Sequence, residues 1–168
     1  PELADKVLIH FSGSVVCEGA DTVHPLMTFS SARYTLDEYR SIPFVLHEGG
    51  KSLAELLPDL PNPSFCIPVD AAAYYHSLCV MANNFTSMLW NKCFSEFSAR
   101  WGLPKQALLP ILQRTCCNLH GSHEEALTGP LVRRDWSTIQ ANLAALQGDP
   151  YQAVYAAFVD SVMTEREE

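Results

Sequence analysis

The sequence has no G-x-G-x-x-G motif and no strand-turn-helix able to hold a pyrophosphate. A complete nucleotide-binding domain is therefore excluded from these 168 residues. Its six cysteines, at 17, 66, 79, 93, 116 and 117, show neither C-x-x-C nor a Cys/His ligand spacing, so no metal site is expected. Two of them fall in an apolar helical run, and adjacent Cys116 and Cys117 cannot easily bridge each other. Buried thiols in a reducing cytoplasm are the expectation. Basic residues are few, eleven against nineteen acidic, for a net charge of −8 and no basic cluster. That argues against nucleic acid or an anionic membrane as partner. No Ser-His-Asp set, paired-carboxylate site, internal repeat or low-complexity tract is present. The N-terminus lacks the basic region and apolar core of a signal peptide. Its first residue is Pro rather than Met, as expected of a processed product or a piece of a longer protein.

Charge is also missing from Ala71 to Asn91, and neither Pro nor Gly interrupts the run from Asp70 to Trp101. Leu78, Met81, Phe85, Met88, Leu89, Cys93, Phe97 and Trp101 recur at three- and four-residue steps. The spacing predicts a helix of about nine turns, or roughly 48 Å. Apolar on most faces, it is expected to be a buried central helix. Its polar exceptions form a stripe: at roughly 100° per residue His76, Asn83 and Ser87 fall together, with Asn84 and Asn91 to one side. A stripe of that kind needs partners or a cavity. Its polar content (His76, two Tyr, three Asn) argues against a membrane span.

Short strands are predicted at Lys6–Phe11, Thr22–His24, Pro43–His47 and Ser64–Ile67, with helical turns at Leu36–Arg40 and Lys51–Leu57 between them. After Val69 there is no strand signal. The long helix should end at Gly102, and a second should run from Pro104 to about Leu119. Residues 121–130 read as a loop. Asp135 can cap a helix from Trp136 to Leu146, and Asp149-Pro150 opens the last one. The acidic tail from Thr164 to Glu168 reads as a solvated helix end. Residues 1–69 thus form the second half of an α/β sheet, and 70–168 a helical domain: mainly α overall.

Three constellations carry chemistry. His10, Ser12 and Gly13 lie at a predicted strand end, where open α/β sheets bind ligands, so a substrate or nicotinamide contact fits there. His24-Pro25 with Thr28 lies at another strand end, its ring held by a turn. The third is the stripe of His76, Asn83, Asn84 and Ser87, where histidine can exchange a proton and Asn can orient a carbonyl or hydroxyl. A core histidine bonded to a backbone carbonyl, with Asn residues bonding between helices, remains the alternative. Thr128-Gly129-Pro130 followed by Arg133-Arg134-Asp135 could present cations to an anionic ligand, or simply start a solvated helix.

The order H-x-S-G, H-P-L-x-T-F, then Y-H with Asn eight positions after the His, then T-G-P with Arg and Asp, resembles a family of uncharacterised bacterial proteins. The likeness runs from about Val7 to Val162. Family members join a Rossmann-type NADP-binding half to a helical domain of unknown function. That domain is related to the dimerising domains of 6-phosphogluconate dehydrogenase and pyrroline-5-carboxylate reductase. The His-Pro turn is also similar to one in prephenate dehydrogenases. This chain starts after the strand and Gly-rich loop of such proteins.

What the resemblance implies is part of an NADP- or NAD-dependent oxidoreductase, transferring a hydride to or from an unknown small molecule, and forming a homodimer. His76 and Asn84 would be catalytic, and the Ser12–Gly13 loop would face nicotinamide and substrate. His10, His24, Thr28, Asn83 and Ser87 complete the expected binding set. Alone, this chain is not expected to bind the cofactor. The competing expectation is a non-catalytic ligand-binding or dimerisation module, in which the stripe is buried between helices instead of opening on a cleft.

Overall fold

The computed structural model describes residue 3 and residues 5–122 and 126–164. The tail beyond Thr164 and part of the loop expected at 121–130 lie outside the described residues. The chain divides into two compact units, Pro1–Glu96 and Phe97–Glu168.

In the first unit, four short strands form a mixed sheet in the order β1 (Ile9–His10), β2 (Asp21–Pro25), β3 (Phe44–His47), β4 (Ser64–Ile67). β1 runs parallel to β2 and β3 to β4, while β2 and β3 are antiparallel. All four fall where the apolar runs predict them. Single helical turns, α1 (Leu36–Ser41) and α2 (Leu53–Leu56), start at capping boxes built by Thr35 with Glu38 and Ser52 with Glu55. The alternation of a strand sends Val23, Phe44 and Leu46 to one face, where they form the core with Leu53 of α2. Asn62, almost fully buried, donates to the carbonyls of Tyr39 (2.7 Å) and Ile42 (3.0 Å) and so ties down the end of α1. The same alternation sends His10, Thr22, His24, Val45 and His47 to the opposite face. The sheet is apolar on one side and carries three imidazoles on the other.

The long helix differs from its expectation in two ways. It is not one α-helix: after a 3₁₀ turn (Val69–Ala71) it runs as α3 (Ala72–Val80), a π segment (Met81–Phe85) and α4 (Thr86–Trp101). Nor is it buried. Tyr74 is 70% exposed, Leu78 45%, Met81 53%, Phe85 49% and Met88 54%, and Ala72 is the one fully buried residue of α3. The core of the first unit is small, and among the described residues its sheet and short helices cover little of the helix. Periodicity reports which side chains would bury together, not whether a partner surface is present in the same chain.

The second unit is helical: a 3₁₀ turn (Lys105–Ala107), α5 (Leu109–Gly121), α6 (Pro130–Arg133), α7 (Trp136–Ala145) and α8 (Tyr151–Thr164). Gly102 ends α4 as expected, with φ 64° and its N–H on the Ser98 carbonyl at 2.9 Å. The helix expected from Pro104 starts instead at Leu109, because Pro110 has no N–H and is accepted only in a first turn. α6 begins at Pro130, the last residue of the expected loop. Asp135 caps α7 through the Thr138 N–H at 3.1 Å, with Ser137 and Thr138 hydroxyls also donating to it. These bonds, the Thr138 hydroxyl foremost, hold its carboxyl below the usual range. α7 and α8 are clasped by Asn142 to the Tyr155 hydroxyl (3.0 Å) and Gln152 to the Leu143 carbonyl (2.9 Å), with Ile139 and Val159 buried.

The expectation of buried thiols is corrected. Cys17, Cys66, Cys116 and Cys117 are exposed, Cys79 and Cys93 half-buried, and all six are free. Cys66 lies on β4, an edge strand whose neighbour Phe65 is 61% exposed, and the vicinal pair lies on exposed surface of α5.

Candidate functional site

The helix meets the histidine face of the sheet at His24. Its Nδ1 lies 2.7 Å from the Tyr75 hydroxyl, and its ring stands edge-on to Tyr75 (centroids 5.6 Å apart) and to His76 (6.3 Å). Burial, then the neighbouring His76, lowers the His24 pKa from its ordinary value, which favours a neutral imidazole at neutral pH. Burial, with the Cys79 thiol beside it, raises that of the Tyr75 phenol. The backbone of Gly13 passes so close to the face of the ring that a Cβ there would lie 2.9 Å from His24 Nε2. The glycine of the His-x-Ser-Gly stretch is thus required by the ring it packs on.

Past Pro25 the chain turns through Leu26 and Met27, their N–H groups bonded to the Pro43 and Pro25 carbonyls at 2.8 Å. This brings Thr28 beneath the π segment, and the Tyr34 hydroxyl holds the Thr28 carbonyl. Asn83 Nδ2 donates to Thr28 Oγ1 (3.2 Å) and to Asn84 Oδ1 (3.1 Å). Between these elements lies an open cleft of about 260 Å³. Its polar wall is His24, Thr28, His76, Asn83 and Asn84. Leu26, Met27, Cys79, Val80 and Ala82 complete it.

The π segment explains which stripe residues meet here. A π turn holds one residue more than an α turn, so all that follows is rotated back by roughly 100°. Asn84 comes round to the His76 side, whereas Ser87 turns off the stripe, is exposed and does not line the cleft. Ser12 lies outside the lining too; its hydroxyl accepts the Ser14 N–H at 3.4 Å.

His10 belongs to a second cluster on the same sheet face. Thr22 Oγ1 bridges His10 Nε2 (3.1 Å) and His47 Nδ1 (3.2 Å), and His10 Nδ1 is buried without a partner. Burial, then His10, lowers the His47 pKa. Sequence reasoning missed Thr22, His47, Tyr75 and Cys79. Strand alternation contained the signal for the first two, but only with the register in hand. Among the described residues no group of three or more His, Cys, Asp or Glu could hold a metal ion, and no helix is long and apolar enough to cross a membrane.

Two solved structures share this fold. One is a protein of Bacteroides fragilis named "putative NADP oxidoreductase": TM-score 0.75, 25% identity, 93% of this chain and 64% of that one covered. The other is protein TM1727 of Thermotoga maritima: TM-score 0.74, 24% identity, 96% of this chain and 70% of that one covered. The chain thus spans just under two thirds of the Bacteroides protein. No curated protein matches the chain. These likenesses support an α-rich, Rossmann-like fold. The family model of a domain of unknown function, DUF2520, matches residues 47–162, and the chain belongs to that family.

Proposed function

We propose that the cleft is the substrate site of an NADP-dependent oxidoreductase acting on a small molecule. This chain would supply the substrate wall and a dimer contact, and a dinucleotide-binding half the cofactor site. The observation that carries the reading is that His76, His24, Thr28, Asn83 and Asn84 open together on one cleft instead of being sealed between helices. The name of the Bacteroides protein agrees with it.

The sequence contains no glycine-rich turn for a pyrophosphate, so this chain's residues fit only the nicotinamide end, which we assign to the Ser12–Gly13 turn. A bound nicotinamide would supply or accept the hydride. His76 would pass one proton to or from the substrate oxygen, at a site where an acid/base group contributes roughly 10²–10⁴-fold. Asn84, braced by Asn83, would orient that oxygen. The Tyr75 bond would keep His24 fixed as the neutral wall opposite. Other parts of the same reading are kinship with the helical domains of 6-phosphogluconate dehydrogenase and pyrroline-5-carboxylate reductase, and a cytoplasmic location.

A module that only dimerises is the second reading, favoured by the exposed apolar side chains Tyr74, Leu78, Met81, Phe85 and Met88. The two are separated by joining this chain to a dinucleotide-binding half and following NADPH oxidation with a panel of small carbonyl compounds. An oxidoreductase turns over at least one of them and loses that turnover when Asn84 becomes Ala; a pure dimerisation module turns over none.

A further inference from the structure

The cleft has ten lining residues, and none is Lys, Arg, Asp or Glu. An anion stripped of water in a half-enclosed, partly apolar cleft needs a cation or several donors to offset its lost hydration. Among the described lining residues the two imidazoles are the only basic side chains, and burial favours the neutral form of His24. The chain's net charge of −8 adds long-range repulsion against an approaching anion.

The Asn pair points the same way. Asn83 spends its amide on Thr28 Oγ1 and Asn84 Oδ1. Among the described residues this leaves Asn83 Oδ1 as an acceptor, and the Asn84 amide and the Thr28 hydroxyl as donors. A carboxamide, or a hydroxyl beside a carbonyl, can both give and accept hydrogen bonds at such a wall. A carboxylate only accepts, so it could take the Asn84 amide and Thr28 hydroxyl but would leave Asn83 Oδ1 unpaired. The cleft of about 260 Å³ suits a small ligand.

We propose that this cleft selects small uncharged substrates, carboxamides or hydroxy-carbonyl compounds with a short apolar body, over carboxylates and phosphate esters. The proposal rests on the cleft being the substrate site. The apolar body would lie on Leu26, Met27 and Val80, and the polar edge on Asn83, Asn84 and Thr28.

Benzamide and benzoate test it, because they match in shape and differ in charge and in hydrogen-bond donors. Each is titrated at pH 7.5 into the ¹⁵N-labelled chain while the side-chain amide signals of Asn83 and Asn84 are followed. Benzamide should shift both signals saturably and bind at least about tenfold more tightly than benzoate, a difference of about 1.4 kcal/mol. Benzoate binding as tightly or more tightly would overturn the selectivity and leave the cleft standing as a substrate site. Saturable shifts from neither compound would overturn both. Saturable benzamide binding, with NADPH-linked turnover that His76→Ala leaves unchanged, would support the selectivity while contradicting the catalytic role.

Discussion

His24 Nδ1 and the Tyr75 hydroxyl, 51 residues apart in sequence, lie 2.7 Å apart across the sheet–helix contact. This bond joins the strand that leads into the Thr28 turn to the helix that carries His76. Tyr75→Phe removes it and leaves a half-buried ring nitrogen unpaired. Urea unfolding should show a loss of about 1 kcal/mol. No measurable loss would mean that water already competes for the bond.

Gly13→Ala tests the packing on the face of the ring. The added Cβ would sit 2.9 Å from His24 Nε2, and the ring cannot simply swing away because Tyr75 holds its opposite nitrogen. A cost of about 1–3 kcal/mol is expected, as for overpacking elsewhere. A variant as stable as the parent would show that the ring moves freely.

Stability should rise with pH through the histidine range. The pKa values of His24 and His47 are both lowered in the native chain, by burial first and by a neighbouring histidine second. Between the ordinary value near 6.5 and each lowered native value, the unfolded chain binds more protons than the folded one. Unfolding free energy therefore increases with pH in that window, and the stabilisation is lost as pH falls through it. The urea midpoint should be lower at pH 5.5 than at pH 7.5, and the difference should shrink in His47→Gln. A midpoint that rises as pH falls would reverse the sign and contradict the burial of both rings.

The exposed apolar side chains of the long helix should form a contact between two copies of the chain. Tyr74, Leu78, Met81, Phe85 and Met88 are each between 45% and 70% exposed. Sedimentation equilibrium at tens of micromolar should show a dimer, and Met88→Glu should weaken it strongly. Only an 18.7 kDa species would count against the contact.

The strands and the major helix ends were legible because each depends on nearby residues. Apolar runs such as Pro43–His47, the Gly102 stop and the Asp135 cap need no knowledge of the rest of the chain. What stayed hidden depends on distant partners. Thr22 meets His10 and His47 through register, which no local pattern specifies. The π segment keeps the same apolar spacing on either side, so counting at 100° per residue put Ser87 on the stripe and Asn84 beside it. Burial of the helix was overestimated because hydrophobicity does not say which chain covers it. The gathering of His24, Thr28, His76, Asn83 and Asn84 was half legible: each was singled out, but Tyr75, which pins the arrangement, was not.

The most direct measurement compares wild type and His76→Ala in a protein that joins this chain to a dinucleotide-binding half. NADPH-linked turnover of an uncharged carbonyl substrate and the unfolding midpoint are read side by side. Because His76 borders an open cleft, shortening it leaves no sealed cavity. Turnover should fall by roughly 10²-fold or more while stability changes by less than about 1 kcal/mol. Unchanged turnover, with a stability loss of about 1–3 kcal/mol, would show that His76 is a structural residue and contradict the substrate-site assignment.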